Sequence, residues 1–235
     1  MSRLYGENED INSDKVKTFF NERSNKNFEN DLSIVLFQDE ENSKQRHIEE
    51  QKALFEHVDL TNKKVLEIGC GIGRWAEPLH DKCDSYLGLD FSEDLVEIAN
   101  NSYDFDNCKF QVMSATDIDV DELLIDAPFD VVIFSGVLLY INDDDLEIII
   151  NKINEICSED KEIFVMEPIS CIETRLTLKD FYSEGLESDY NAIYRTEPEY
   201  VDFFKKFNGN NIFSGDIFKE LSDHSETQYK FFIIN

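Results

Sequence analysis

The sequence predicts an α/β fold in which helices cover both faces of a mostly parallel sheet. Short apolar runs alternate with amphipathic runs along most of the chain, and strands that alternate with helices form parallel sheets. One apolar run leads directly into a turn with three glycines at alternate positions. The chain has 235 residues, of which 41% are hydrophobic. This composition is sufficient for one well-buried domain of this class.

Seven strands are predicted from short apolar runs, at 65–69, 85–90, 109–113, 129–135, 162–167, 211–215 and 228–234. Helices are predicted where apolar residues recur every three or four positions. They lie at 12–22, 43–58, 72–80, 92–102, 119–124, 143–157 and 198–207. No repeat and no Pro-rich or Ser/Gly-rich linker interrupts the pattern, so we expect a single domain over residues 1–235.

The most informative segment is Val65–Trp75, with the sequence VLEIGCGIGRW, where a buried strand precedes Gly69, Gly71 and Gly73. Glycine has no Cβ, so a ligand can lie against the backbone of such a turn. A dinucleotide-binding turn is excluded because its sixth position is Arg74 rather than glycine. A phosphate-binding P-loop is excluded because no lysine followed by serine or threonine is present. An ordinary glycine-rich turn is the alternative interpretation.

The next predicted strand, Ser85–Asp90, ends in an aspartate 21 positions after Gly69. A carboxylate at the tip of the neighbouring strand can accept hydrogen bonds from both hydroxyls of a ribose. Phe91 would then cover one face of an adenine, or would pack in the core. The alternative role for Asp90 lies at a helix N-terminus, with Ser92 as the cap. The two roles are compatible.

With Phe110–Asp117 and Phe129–Asn142 in the same order, the chain resembles the class I S-adenosylmethionine (SAM) dependent methyltransferases over residues 60–168. The resemblance implies SAM as cofactor, S-adenosylhomocysteine (SAH) as product, and a Rossmann-like sheet with an antiparallel last strand. It also implies the cofactor-binding residues Glu67, Gly69, Gly71, Gly73, Asp90, Phe91, Ser114, Ala115, Thr116 and Ser135. Many relatives have aspartate where this chain has Ser114, so the backbone of Ala115 and the carboxylate of Asp117 are alternative adenine contacts.

The charge of the chain argues against nucleic acid as a substrate. The 51 acidic and 22 basic residues give a net charge of −29, which repels a phosphate backbone. We interpret the acidic runs as solvated surface and helix starts rather than as a metal site. Five dispersed cysteines predict reduced thiols in the cytoplasm rather than disulfides or zinc ligands. The four histidines are isolated, and we interpret them as surface or packing residues rather than as bases. No apolar segment is long enough to indicate membrane insertion.

Two segments outside the minimal fold are expected to enclose the site. Residues 1–60 are predicted to form an N-terminal helical cover, with Phe19, Phe20 and Phe28 on its apolar side. Residues 169–197 are predicted to form a lid insertion, because this position lies at the carboxyl edge of the sheet. The cations and aromatic residues of the lid either bind the acceptor or pack the lid and pair with nearby acidic residues. The candidate acceptor-binding residues there are Arg175, Tyr182, Tyr190 and Arg195.

The methyl group of SAM is already activated, so the protein needs a general base only if the acceptor must lose a proton. The candidate bases are Tyr140, Glu167 and Tyr194, and Tyr140 is also a candidate for binding the acceptor. Arg74 is a candidate for binding the SAM carboxylate or an anionic acceptor, with a surface salt bridge as the alternative.

Further segments, including Phe37–Asp39, Ile133–Asp144 and Arg175–Arg195, resemble a bacterial group of small-molecule methyltransferases. Members of that group are often associated with surface-polysaccharide or specialised-metabolite gene sets. The resemblance implies methyl transfer to an oxygen or nitrogen of a sugar, a nucleotide-sugar or a phosphorylated metabolite, by a monomer or homodimer. Two alternatives stay open at this point, a SAM-binding regulatory subunit without activity and a methyltransferase that acts on a protein.

Overall fold

The computed structural model describes residues 2–25, 32–37, 39–209, 211–218 and 226–235. The helices are α1 (Ser13–Ser24), α2 (Leu32–Leu36), α3 (Glu40–His57), α4 (Ala76–Leu79), α5 (Glu93–Ser102), α6 (Asp143–Ile156) and α7 (Glu197–Phe204). The strands are β1 (Ser2–Tyr5), β2 (Lys64–Ile68), β3 (Ser85–Asp90), β4 (Cys108–Val112), β5 (Phe129–Ser135), β6 (Cys157–Ser170), β7 (Leu176–Ser183), β8 (Ser188–Tyr194), β9 (Ile212–Ile217) and β10 (Thr227–Ile234). Within these residues, no helix is both long enough and apolar enough for a membrane span.

The central sheet has seven strands in the order β4-β3-β2-β5-β6-β10-β9. The strands from β4 to β6 are parallel, and β10 runs antiparallel to both of its neighbours, β6 and β9. The predicted Rossmann-like sheet with an antiparallel last strand is therefore confirmed. Because β2, β3 and β5 are adjacent and parallel, their carboxyl ends meet at one edge, where open α/β sheets bind ligands.

Two hydrophobic clusters cover the two faces of this sheet, because side chains alternate between the faces along each strand. Leu66 and Val132 belong to the cluster that packs against α6 and α7. Val65 and Val131 belong to the cluster that packs against α3, α4 and α5. The sheet is therefore buried on both faces, and its carboxyl edge is left for a ligand.

A second sheet, which the sequence analysis did not predict, consists of β1, β7 and β8. The β7–β8 hairpin occupies the segment predicted as a lid insertion, and β1 pairs antiparallel with β7. The strand pattern of the hairpin is interrupted at Asp180, which has φ 50°, and the β7–β8 register shifts between Leu178 and Phe181. The strand β1 has four residues, and its Ser2 pairs with the distant Lys179. Neither the interrupted hairpin nor the short strand β1 has a clear strand pattern in its local sequence.

Three smaller differences follow from local chemistry. The helix predicted over 72–80 is only α4, because the glycine turn continues to Trp75. The helix predicted near 119–124 is a 3-10 turn over Val120–Glu122. The strand predicted over 162–167 is longer at both ends, since β6 pairs with β5 at Cys157 and with β10 as far as Ser170.

The N-terminal helices α1 and α2 pack against each other above the carboxyl edge. Arg23 of α1 donates from Nε to the carbonyl oxygen of Ile34 (2.8 Å) and from Nη2 to that of Ser33 (2.7 Å). Phe19 packs in a cluster with Tyr190 from the hairpin. Phe28, which was predicted to line the same cover, lies outside the described residues.

The start of α6 is tied to the end of the hairpin by a buried arginine. Arg195 is 0% exposed. Its Nε and Nη2 donate to Asp143 Oδ1 (2.9 and 2.6 Å), and Nη1 and Nη2 donate to the carbonyl oxygens of Leu138 (2.9 Å) and Ile141 (2.6 Å). The guanidinium therefore satisfies two carbonyl groups and a carboxylate at a junction of three elements.

Replacing this arginine is expected to destabilise the fold. Arg195→Met removes a buried charge, leaves the carbonyl groups of Leu138 and Ile141 without this donor and leaves Asp143 with Arg175 alone. Breaking a buried ion pair costs about 3–5 kcal/mol. Urea unfolding followed by circular dichroism measures the loss. Lys206→Met is the control, because its ion pair with Glu147 is exposed and such pairs contribute roughly 0–1 kcal/mol. Equal effects of the two substitutions would contradict this account.

Candidate active site

A cavity of about 1130 Å³ lies at the carboxyl edge of the central sheet. The ends of β2, β3 and β5 form its floor, and α1, α2 and the β7–β8 hairpin contribute to its walls. Pockets that hold one small molecule are typically about 300–1,000 Å³. The cavity is therefore larger than the usual pocket for one small molecule.

The lining residues divide into two lobes. We call the part above β2, β3 and β4 the sheet lobe; it is lined by Gly69, Gly71, Asp90, Phe91, Met113, Ser114, Ala115 and Thr116. We call the part beneath the hairpin the hairpin lobe; it is lined by Leu176, Leu178, Phe181, Tyr190, Tyr194 and Tyr229. Tyr140 and Gly136, in the turn after β5, also line the cavity.

Close packing at Gly69 creates the floor of the sheet lobe. Gly69 has φ +72°, and a Cβ at this position would overlap the side chain of Val137. The turn after β2 and the turn after β5 can therefore approach each other only with glycine here. Gly73 has a different role, because a Cβ there would overlap Phe110, and Gly73 is not among the residues that line the cavity. It serves helix–strand packing rather than ligand contact.

Asp90, at the end of β3, presents a buried carboxylate to the sheet lobe. Oδ2 accepts the backbone N–H of Gly71 (2.9 Å), and Oδ1 accepts that of Ser92 (2.9 Å). Each oxygen keeps acceptor capacity for a ligand. Ser92 caps α5 through the N–H of Leu95. Burial raises the pKa of Asp90 to about 6, because it disfavours the charged form.

The other predicted residues of the sheet lobe surround the same space. Phe91 lines it beside Lys17, whose Nζ is 5.9 Å from the ring centroid. The hydroxyls of Ser114 and Thr116 are 2.9 Å apart, in a 3-10 turn that also contains Ala115. This lobe offers an aromatic face, hydroxyls and a carboxylate to one ligand.

Glu67 does not line the cavity, although the sequence analysis predicted it as a cofactor ligand. The carboxylate is buried in β2, and its Oε2 accepts the hydroxyl of Tyr86 from β3. Burial raises its pKa to about 8. The residue therefore links two strands of the floor.

Glu167, predicted as a general base, is also directed away from the cavity. Its Oε1 accepts the backbone N–H groups of Val137 and Leu138 (2.8 Å each), and its Oε2 accepts that of Leu139 (3.3 Å). Burial raises its pKa to about 7. Because its oxygens hold the turn after β5, Glu167 positions that turn and cannot reach a ligand.

Arg74 lines the cavity but belongs to a buried network rather than to a surface salt bridge. Its Nη1 donates to Glu50, and its Nη2 donates to Ser135 Oγ (2.7 Å). His47 Nδ1 is 2.6 Å from Arg74 Nη1, and His47 Nε2 is 3.0 Å from the Arg74 carbonyl oxygen. Burial lowers the pKa of His47, so the imidazole is neutral.

A chain of three phenols lines the hairpin lobe. The hydroxyls of Tyr140 and Tyr190 are 2.8 Å apart, and Tyr190 is also hydrogen-bonded to Tyr194. Burial raises the pKa of all three phenols well above the usual value for tyrosine. Tyr140 and Tyr194 therefore keep their protons at neutral pH. They fit the role of hydrogen-bonding groups rather than the predicted role of general bases.

Three residues predicted to bind the acceptor are placed outside the cavity. Arg175 bonds to Asp143 Oδ2 (2.8 Å), to Glu199 Oε1 (2.9 Å) and to Asn8. Arg195 is buried by the network described above, and Tyr182 is 45% exposed on the outer side of the hairpin. The alternative interpretation, in which the lid cations form ion pairs that pack the lid, describes both arginines. Their carboxylate partners, Asp143 and Glu199, are farther away in the sequence than the nearby acidic residues that were expected.

Arg46 and Tyr229 are among the lining residues that the sequence analysis missed. Arg46, on α3, donates from Nε to Glu50 (2.8 Å) and from Nη1 to the hydroxyl of Tyr229 (2.9 Å). Tyr229 is on β10. Arg46 lies within a run of charged residues on a helix, and Tyr229 within an apolar strand, so neither stands out locally. The signal that could have found Arg46 is the helical spacing of Arg46 and Glu50, which suits a buried ion pair.

The sheet lobe fits the cofactor that the motifs imply. Gly69 and Gly71 expose backbone where a side chain would block the methionine part of SAM. Asp90 offers two oxygens to ribose hydroxyls, and Phe91 offers a flat face to adenine. The guanidinium group of Arg74, which also lines the cavity, is a cation suited to a carboxylate.

Comparisons with known proteins agree with this geometry. A family model described as "Methyltransferase domain" matches residues 65–160. The chain is 29% identical over 147 residues to phosphoethanolamine N-methyltransferase 1 of Triticum aestivum, in a match that covers 61% of this chain and 27% of the wheat protein. The chain thus spans roughly a quarter of the length of this curated relative.

Two solved structures share the fold. A SAM-dependent methyltransferase from Leishmania major has a TM-score of 0.71 and 14% identity, with coverage of 95% of this chain and 82% of that chain. Phosphoethanolamine N-methyltransferase 1 from Haemonchus contortus, solved with phosphoethanolamine and SAH, has a TM-score of 0.67 and 20% identity, with coverage of 94% and 49%. Residues 65–160 of this chain therefore match a methyltransferase domain, and the sheet order gives the chain the fold of these SAM-dependent methyltransferase structures.

Proposed function

We propose that this protein transfers a methyl group from SAM to an oxygen or nitrogen atom of a small molecule bound in the hairpin lobe. The observation that carries the proposal is that the hairpin lobe and the sheet lobe form one cavity. SAM in the sheet lobe and an acceptor in the hairpin lobe would share this space. Tyr140, in the turn between the lobes, would lie beside the reacting groups.

The elements around the hairpin lobe favour a small acceptor over a protein. Side chains from β1, α1 and the hairpin all line the same cavity, among them Arg3, Phe20 and Phe181. Arg3 is further held by an ion pair with Glu226 (2.5 Å). A cavity with walls from several elements suits a small molecule.

The lining of the hairpin lobe favours a polar acceptor with some apolar surface. Tyr190, Tyr194 and Tyr229 present both ring faces and hydroxyls, and Leu176 and Leu178 present methyl groups. A sugar, a nucleotide-sugar or a phosphorylated metabolite has this mixed character. The names of the wheat and Haemonchus contortus relatives, both phosphoethanolamine N-methyltransferases, support a small phosphorylated acceptor.

The mechanism that suits these residues is positioning without a protein base. SAM supplies a methyl group that is already activated on a sulfonium. The chain then has to hold the acceptor atom in line with that methyl group and to exclude water. Phe20 and Leu139 contribute apolar lining, and the protonated phenol of Tyr140 can orient the acceptor. A neutral amine needs no base before it attacks, and its proton leaves to solvent after transfer.

Asp90→Asn is expected to weaken SAH binding. A neutral amide cannot accept two charge-assisted hydrogen bonds from the ribose, and each such bond contributes about 1.5–3 kcal/mol. We therefore expect the Kd measured by calorimetry to rise at least about tenfold. Asp104→Asn, in an exposed loop, is the matched control and should leave the Kd unchanged. Unchanged affinity in Asp90→Asn would place the cofactor elsewhere.

The affinity for SAH is also expected to depend on pH. Because burial raises the pKa of Asp90 to about 6, the carboxylate is ionised above that pH and protonated below it. Protonation removes acceptor capacity, so the affinity should fall as the pH is lowered through about 6. Calorimetry between pH 5.5 and 7.5 measures this change. The same dependence in Asp90→Asn would show that another group is responsible.

Tyr140→Phe is expected to lower methyl transfer more than SAH binding, because the lost hydroxyl faces the acceptor rather than the ribose. A hydrogen bond of this kind contributes about 0.5–1.5 kcal/mol. Its loss should therefore lower kcat/KM by roughly 2- to 15-fold. Tyr182→Phe is the matched control, since Tyr182 is outside the cavity. Equal kinetics in both variants would exclude Tyr140 from the acceptor site.

Turnover on a panel of acceptors tests the proposed function as a whole. The panel contains sugars, nucleotide-sugars and phosphorylated amines, and SAH formation is measured for each compound. Acceptor-dependent SAH formation that disappears in Asp90→Asn supports the proposal. Tight SAH binding with no turnover on any compound of the panel would favour a non-catalytic SAM-binding protein instead.

A further inference from the structure

A cluster of buried charges beside the hairpin lobe has more positive than negative members. Glu50 is 0% exposed, and it pairs with both Arg46 and Arg74. Burial opposes ionisation of Glu50, but the two guanidinium groups hold its pKa below its usual value. His47, the other titratable residue in contact with Glu50, is neutral because burial lowers its pKa. Two cations therefore share one carboxylate.

Neighbouring groups do not remove this excess. Glu67 also acts electrostatically on Arg74, but burial raises its pKa to about 8, so it is largely protonated at neutral pH. Glu226 lines the same cavity, but it is paired with Arg3. A buried charge without a partner is unfavourable, so a bound anion would stabilise this cluster.

The hydrogen bonds of Arg46 direct one edge of its guanidinium into the cavity. Nε donates to Glu50, and Nη1 donates to Tyr229 and, at 3.5 Å, to the carbonyl oxygen of Leu36. Nη2 has no hydrogen-bond acceptor among the residues that the structure describes. It lies 3.8 Å from the point that a Cβ would occupy at Gly136. Gly136 also lines the cavity.

Tyr229 supplies a second donor at the same place. Its hydroxyl oxygen accepts the N–H of Arg46 (2.9 Å), so the hydroxyl proton is free to point to another acceptor. Tyr229 pairs with Pro168 of β6, and both residues line the cavity. A guanidinium N–H and a phenol O–H therefore converge on one region, and this combination suits a carboxylate or a phosphate.

The position of Tyr229 in the sheet separates this region from the cofactor. Tyr229 is on β10, and Asp90 is on β3, four strands away in the sheet order. Adjacent strands are about 4.7–4.9 Å apart, so the two residues stand on strands roughly 19 Å apart. A ligand group bound by Tyr229 is therefore on the acceptor side of Tyr140.

We propose that Arg46 and Tyr229 form a binding site for an anionic group of the acceptor, either a phosphate or a carboxylate. This site rests on the proposed function, because it specifies which charged group the proposed acceptor carries. It also explains how a chain with a net charge of −29 can accept an anion. The field of the whole chain repels anions, and two buried cations with one counter-charge reverse the sign of the field at this position.

The test uses the full chain saturated with SAH, and inorganic phosphate and acetate as separate probes. Calorimetric titration should detect millimolar binding of one of the two anions, and the preferred probe identifies the group as phosphate or carboxylate. Tyr229→Phe should weaken this binding at least about threefold, and Arg46→Gln at least about tenfold. Arg46→Lys keeps the charge and should lose less than Arg46→Gln. Tyr182→Phe should bind the anion as the unchanged chain does.

Several results would overturn the proposal. One is the absence of binding of both probes to the SAH-saturated chain. Another is anion binding that stays the same in Tyr229→Phe and in Arg46→Gln. A third is loss of SAH affinity in Arg46→Gln without any loss of anion binding, which would assign Arg46 to the cofactor. Failure of the proposed function is distinguishable, because it appears as absent SAH binding before any anion is added, or as absent turnover in a chain that still binds the anion.

Discussion

The close approach of two turns at the carboxyl edge of the sheet is the constraint on which the site depends. Gly69 follows β2 and Val137 follows β5, and only the missing Cβ of Gly69 allows them to touch. Glu167, from the next strand, fixes the second turn through three backbone N–H groups. Three adjacent strands therefore define the border between the two lobes together, and Tyr140 stands on that border.

Burial of arginine is the second organising feature. Arg46, Arg74, Arg175 and Arg195 are all nearly inaccessible to solvent, in a chain whose acidic residues outnumber basic ones by more than two to one. Asp143 receives both Arg175 and Arg195, but Arg175 also pairs with Glu199. That group is balanced, and it joins α6 and α7 to the hairpin. The Arg46 and Arg74 group has one carboxylate for two cations, and it lies against the cavity.

The sequence was sufficient to predict the parts of the molecule whose signals are local. The alternation of strands and helices predicted the seven-stranded sheet, and the spacing from Gly69 to Asp90 predicted two turns that lie at the same cavity. The hairpin was missed because Asp180 interrupts its strand pattern. Glu67 was predicted as a cofactor ligand and Glu167 as a general base, because a sequence does not reveal which side of a strand end a carboxylate faces.

Distance along the chain explains the remaining errors. Arg175 and Arg195 were expected to bind the acceptor, but their partner Asp143 is 32 and 52 positions away. Arg46 and Tyr229 are separated by 183 positions, so no local pattern connects them. Tertiary structure alone creates such pairs.

The pairing of β1 with β7 has a consequence for the order in which the molecule assembles. Ser2 and Lys179 are partners, so this contact closes a loop that contains most of the chain. The loss of chain entropy on closing a loop increases with its length, whereas the βαβ units of the central sheet close much shorter loops. We therefore expect the central sheet to form first and the three-stranded sheet to dock last. In the folding intermediate the glycine turn and Asp90 would already be in place while the cavity was still open to water, so a ligand of the sheet lobe could bind before folding was complete.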